Sequence, residues 1–135
     1  MRRALERTRV LLADDHDFVL ELVEDLLKEH FEVVGKVSDG RAMIREAHRL
    51  QPDVIVSDIT MPILTGIEAA RELRESGSTA KLIFLTAHQE GEFVYRCLAE
   101  GGLGYVTKSR AATDLIRAIR DALSNRSFVS PFIAD

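Results

Sequence analysis

The stretch Val54-Ile55-Val56-Ser57-Asp58-Ile59-Thr60-Met61-Pro62 decides how the rest of the chain is read. Its first residues form a short apolar run of the kind that makes a buried strand, and Asp58 stands at the exit. Burial works against a charged carboxylate, so Asp58 there calls for a counter-charge, a metal or a proton. A second apolar run, Val10-Leu11-Leu12-Ala13, closes on Asp14-Asp15. Three carboxylates at two strand ends describe a cation site with one carboxylate left to react.

Outward from these two runs, strand-like and helical patterns alternate. Strands are predicted at 9–13, 32–37, 54–57, 81–86 and 103–107. Helices are predicted at 17–30, 39–50, 67–75, 90–100 and 113–123, where apolar residues recur at helical spacing, as in Val19, Leu22, Val23, Leu26 and Leu27. Asp17 is placed as the cap of the first helix, and Gln51-Pro52-Asp53 as the stop of the second. Residues 1–8 are read as a charged leader, 9–125 as a single domain, and 126–135 as an apolar tail or the start of a linker.

Strands alternating with helices specify an α/β fold with a parallel sheet. The predicted architecture is a flavodoxin-like three-layer sandwich with five strands in the order 2-1-3-4-5. The first and last helices then lie on one face and the middle three on the other. Ligands in such sheets gather at the carboxyl ends of the strands, near the switch between strands 1 and 3. Asp14-Asp15 and Asp58 end those strands, Thr86 ends the fourth, and Lys108 follows the fifth. Singly, each residue has an ordinary explanation: a cap, a turn, a back-bonded hydroxyl, a surface lysine. Their shared edge is what chance capping does not explain.

An oxygen-rich acidic site suits Mg²⁺. Such a cation lets a phosphoryl dianion approach a carboxylate, which can act as the nucleophile. Lys108 is placed to add a second positive charge, and the Thr86 hydroxyl to donate to a phosphoryl oxygen.

The chain resembles the receiver domain of two-component response regulators. The resemblance is carried by Val10-Leu11-Leu12-Ala13-Asp14-Asp15-His16, by Asp58-Ile59-Thr60-Met61-Pro62 with Gly66, by Leu85-Thr86-Ala87, and by Gly104-Tyr105-Val106-Thr107-Lys108. These segments occur in order and span nearly the whole chain. The resemblance implies Asp58 as phosphoacceptor, accepting from a sensor histidine kinase. It implies Mg²⁺ held by Asp15 and Asp58 directly, by Asp14 largely through water, and by the Thr60 carbonyl. It implies Lys108 as a phosphoryl contact and Thr86 with Tyr105 as the switch pair, the tyrosine turning inward as Thr86 is drawn in. It implies a signalling phosphoacceptor rather than an enzyme acting on other substrates. Asp-Asp-His, Gly-Tyr-Val-Thr-Lys-Ser and Phe128-Val129-Ser130-Pro131 resemble the NarL/LuxR-type subfamily, whose members carry a C-terminal helix-turn-helix domain. The end at Asp135 leaves no room for one, so the chain is read as an excised or a stand-alone receiver. Ser109 replaces the proline common after the lysine, Thr65 replaces an acid with little expected consequence, and Thr60 and His88 occupy positions that tune phosphoryl lifetime in the family.

The bulk properties agree. With 135 residues, 46% hydrophobic and 30% charged, the chain has the make-up of one ordinary globular domain. A net charge of −4 argues against direct nucleic-acid binding, which needs a basic face. The lone Cys97 excludes an internal disulfide and fits a reducing cytoplasm. No apolar run is long enough to span a membrane. Two surfaces are open to a homodimer: helices 1 and 5, or the helix 4–strand 5–helix 5 face. Three other functions are weighed. A haloacid-dehalogenase-like phosphatase wants an Asp-x-Asp pair that this chain lacks. A silent receiver-like module does not need the reactive residues that are present. A flavin carrier needs a hydroxyl- or glycine-rich phosphate cradle, where this chain is acidic.

Overall fold

A computed structural model describes residues 7–87 and 91–131, the side chains of 91–93 excepted. In chain order the elements are β1 (Arg9–Ala13), α1 (Asp17–Leu27), β2 (Glu32–Val37), α2 (Gly40–Leu50), β3 (Val54–Ser57), α3 (Gly66–Glu75), β4 (Lys81–Thr86), α4 (Gly91–Ala99), β5 (Gly102–Thr107), a 3₁₀ turn at Lys108–Arg110, α5 (Ala111–Leu123) and β6 (Phe128–Val129). All strand pairs are parallel, in the order β2-β1-β3-β4-β5-β6.

The predicted fold class holds, and the strand count is corrected from five to six. Phe128–Val129 extends the sheet beyond β5 in the register Gly104↔Phe128 and Tyr105↔Val129, with Ser130 N donating to Tyr105 O at 2.8 Å. Without it β5 would leave a row of backbone groups unpaired at the sheet edge. Two residues carry no periodicity, so this strand is invisible until a partner edge is known.

Two apolar clusters fill the sandwich. One lies under α1 and α5, built on Val10, Leu12, Val56, Leu85 and Val106 with Leu20, Val23, Leu115 and Ile119. The other lies under α2, α3 and α4, built on Leu11, Ile55, Phe84 and Tyr105 with Met43, Ile67, Leu73 and Cys97. Consecutive strand residues alternate between the clusters, as a pleated sheet covered on both faces requires. Burial pushes the Cys97 thiol up to about 12, which leaves it a small apolar side chain in the core.

Some helix boundaries and faces differ from those predicted. In α1 the inward stripe is Leu20, Val23 and Leu27, and Leu22 is exposed. His16 is its N-cap, and Asp17 is the first helical residue, where its charge suits the helix dipole. Asp39 caps α2, its carboxylate accepting from Ala42 N at 2.7 Å. Thr65 caps α3 in a reciprocal box: Thr65 Oγ1 accepts from Glu68 N, and the Glu68 carboxylate accepts from Thr65 N. Residues 1–6 and 132–135 of the leader and tail, with His88 and the predicted start of the fourth helix at 90, lie outside the described residues.

Candidate functional site

β1 and β3 are neighbours in the register Val10↔Val54 to Ala13↔Ser57, so Asp14 and Asp58 leave the sheet side by side. Asp58 N donates to Ala13 O at 2.9 Å, which locks that adjacency. The turn after β3 is tight. Gly66 N donates to Ile59 O at 2.8 Å, and a Cβ on Gly66 would lie 2.0 Å from Asp58 O. Only glycine allows α3 to start so close to the strand end.

Asp14 and Asp58 are buried and Asp15 is exposed. One ligand-capable atom from each of Asp14, Asp15, His16 and Asp58 lies within 4.8 Å of all the others. Lys108 Nζ comes in from the end of β5 and bridges two acids, 2.8 Å from Asp14 Oδ2 and 3.1 Å from Asp58 Oδ2. Its side chain is 21% exposed. Burial works to lower its pKa, but the Asp14 hydrogen bond and the Asp58 charge outweigh burial and raise it. The other carboxylate oxygen of Asp58, Oδ1, accepts from Ile59 N at 2.7 Å. His16 Nδ1 stands 3.1 Å from Asp14 Oδ1 and 3.2 Å from Asp15 Oδ1, a contact the sequence did not announce.

The donor set is hard and oxygen-rich, and its crowded carboxylates are only partly neutralised by one ammonium. That chemistry fits a small divalent cation such as Mg²⁺. Thr60 is exposed in the loop two residues past Asp58.

The β3–β4 register sets Ser57 beside Phe84, so Thr86 lies just past the level of Asp58. Thr86 is buried and pairs with Thr107. Tyr105 is fully buried, opposite Phe84, on the face covered by α2, α3 and α4. Strand alternation points Thr86 to that same face. Tyr105 is fully buried although it lies on the last of the five predicted strands, because β6 makes β5 an interior strand. The peptide after Lys108 is trans, in keeping with Ser109 in place of proline.

A second polar cluster went unread in the sequence. Asp114, on α5, is buried. It accepts from Arg110 Nε at 2.7 Å and from Ser130 Oγ at 2.7 Å. Ser130 Oγ in turn accepts from Thr107 N at 3.3 Å. The Arg110 contact has an i, i+4 signature. The Ser130 contact depends on the return of the tail, which no local pattern announces.

Comparison with known proteins points one way. The profile of the response regulator receiver domain matches residues 10–120. The response regulator GacA of Pseudomonas viridiflava is 35% identical over 128 residues, covering 93% of this chain and 60% of GacA. The chain thus spans about 60% of the length of the curated relatives it matches first. The receiver domain of the putative response regulator NarL from Mycobacterium tuberculosis superposes with a TM-score of 0.85 at 30% identity, over 90% of this chain and 99% of that one. A LuxR-family two-component response regulator from Aurantimonas sp. SI85-9A1 superposes with a TM-score of 0.88 at 34% identity, over 93% and 91% of the two chains.

Proposed function

The chain belongs to the response regulator receiver domain family, NarL/LuxR type, and from that membership we propose that Asp58 is its phosphoacceptor. The observation that carries the reading is the bridge of Lys108 between Asp14 and Asp58, beside Asp15, at the switch-point edge of the sheet.

An Asp58 carboxylate oxygen attacks the phosphorus of a phosphohistidine on a sensor histidine kinase. The phosphorus–nitrogen bond breaks, its electron pair leaves on the imidazole, and Asp58 becomes an acyl phosphate. Asp14, Asp15, Asp58 and the Thr60 carbonyl would hold Mg²⁺, which when bound neutralises phosphoryl charge. Lys108 exchanges its contact with Asp58 for the new phosphoryl oxygens while Asp14 keeps its ammonium in place. The Thr86 hydroxyl turns to the phosphoryl group; Tyr105, expected to turn inward at this step, is already fully buried on the same face of the sheet and backs Thr86 without that turn. Such a modification adds roughly −1.5 to −2 charge, enough to bias a two-state surface. Outside this reaction the domain is a signalling module and not an enzyme.

The response passes to a separate DNA-binding domain and through it to transcription, a reading supported by the LuxR-family relative at 34% identity and by the response regulators GacA and VraR, of which this chain covers about 60%. Of the two dimer surfaces, the α1/α5 face has the stronger support. It has a groove of about 480 Å³ lined by Val19, Leu22, Leu26, Ala111 and Ala112 together with Asp25, Lys108 and Ser109, and Phe18 and Leu22 are exposed on α1. From the family membership we place the protein in the cytoplasm with its kinase's catalytic core. No helix among the described residues is long and apolar enough to cross a membrane.

The test is incubation with Mg²⁺ and acetyl phosphate followed by intact-mass measurement. One phosphoryl group is expected, absent in Asp58→Ala and in EDTA. No adduct, together with no spectral response to fluoroberyllate, favours the silent module. Repeated turnover of an unrelated phosphoester favours a phosphatase.

A further inference from the structure

We propose that Ile63 is a specificity-determining contact for the protein that delivers the phosphoryl group, held outward by a strained turn; the inference rests on Asp58 as phosphoacceptor.

Leu64 N donates to Pro62 O at 2.8 Å, and Ile63 between them has φ 72°. A hydrogen bond from residue i+2 to residue i around such a centre is a γ-turn of the rare, strained hand. A β-branched residue at positive φ is an outlier in its own right.

The conformation is imposed from both sides. Met61 is buried in the cluster under α2, α3 and α4, and Leu64 packs against the same cluster. A Cβ on Gly40 would lie 2.2 Å from Leu64 O, so α2 presses directly on the turn. Thr65 is committed as the cap of α3, and Gly66 is tied to Ile59 O. Glycine would adopt this backbone with least strain.

Isoleucine occupies the position instead, and the residue is 75% exposed. The strain is therefore not offset by burial within this chain. Strained residues of this kind cluster at functional sites. The turn belongs to the loop that leaves Asp58. On the other side of the acidic cluster Phe18, 73% exposed, stands in the first turn of α1, three residues after Asp15. α1 and α3 cover opposite faces of the sheet, so an exposed apolar side chain flanks the acids on each side. Both stand in the segments that leave the acid-bearing strand ends, the edge a folded phosphodonor must approach. The matching donor surface carries apolar side chains beside its histidine. Acetyl phosphate is too small to use them.

The experiment compares two donors. One is acetyl phosphate. The other is an autophosphorylated histidine-kinase core, chosen because it phosphorylates the wild-type chain. Ile63→Asn keeps a residue that tolerates positive φ and removes the apolar contact. Ile63→Val keeps a β-branched apolar side chain. Ile63→Asn is expected to slow transfer from the kinase about tenfold and to leave acetyl phosphate within about twofold, as for truncation of an interface hot spot. Ile63→Val is expected to restore the kinase rate. Equal kinase rates for wild type and Ile63→Asn overturn the proposal. So does a parallel loss with both donors, which would make the turn a support for Asp58 itself. Transfer from the kinase that persists in Asp58→Ala sinks the phosphoacceptor reading instead.

Discussion

Lys108 lies closer to Asp14 than to Asp58, at 2.8 Å against 3.1 Å, although Asp58 is the acid read as reactive. An ammonium anchored by one acid can release the other without losing its place. It also competes with any cation for both carboxylates. Lys108→Ala is therefore expected to bind Mg²⁺ no more weakly than the wild type by titration calorimetry, while its spectral response to fluoroberyllate shrinks. Loss of the folded state in that variant would mark the lysine as structural.

Gly66→Ala places a methyl where Asp58 O already stands. The strand end or the start of α3 must shift, at a cost of about 1–3 kcal/mol. A urea titration is expected to show the lower midpoint, with slower phosphorylation by acetyl phosphate because Asp58 moves with its own carbonyl.

Ser130→Ala removes a donor from buried Asp114 and an acceptor from Thr107 N. Leaving buried groups unpaired costs about 1–3 kcal/mol. A double-mutant cycle with Asp114→Asn is expected to be non-additive, since both changes break one network. Simple additivity would show that the tail is held by β6 and Phe128 alone.

The Arg110 hydrogen bond holds the Asp114 carboxyl below its usual range; burial opposes this, and the Ser130 hydrogen bond adds to it. A carboxylate whose pKa is depressed by folding stabilises the fold above its unfolded pKa of about 4. That contribution disappears as pH falls through the lower folded value. The stability gap between wild type and Asp114→Asn is therefore expected to be flat near neutrality and to close in acid below about pH 4. A gap that widens in acid contradicts the assignment.

Ile63→Gly relieves the left-handed strain while removing little buried surface. A gain on the order of 1 kcal/mol is expected in thermal unfolding, partly offset by the added freedom of the unfolded chain. A loss of stability would show that the isoleucine packs more firmly than its exposure indicates.

The central features of the fold were legible because the buried strands are near-continuous apolar runs and the polar residues at their ends stand out against them. Asp14, Asp15, Asp58 and Lys108 converge as the parallel order requires. What escaped was non-local. The sixth strand needs the edge of β5 to exist, and Ser130 meets Asp114 only after the chain has rounded α5. The φ of Ile63 is set by Gly40 and Gly66 and not by its own preference. Thr65 is a different case: its Thr-x-x-Glu signature was present, but the position was read as of little consequence.

Because β6 runs parallel to β5, the backbone arrives at Pro131 on the acidic rim of the sheet. Had the tail paired antiparallel, it would have departed from the opposite end. The last described residue therefore stands at the same end of the sheet as Asp58, three strands across from β3.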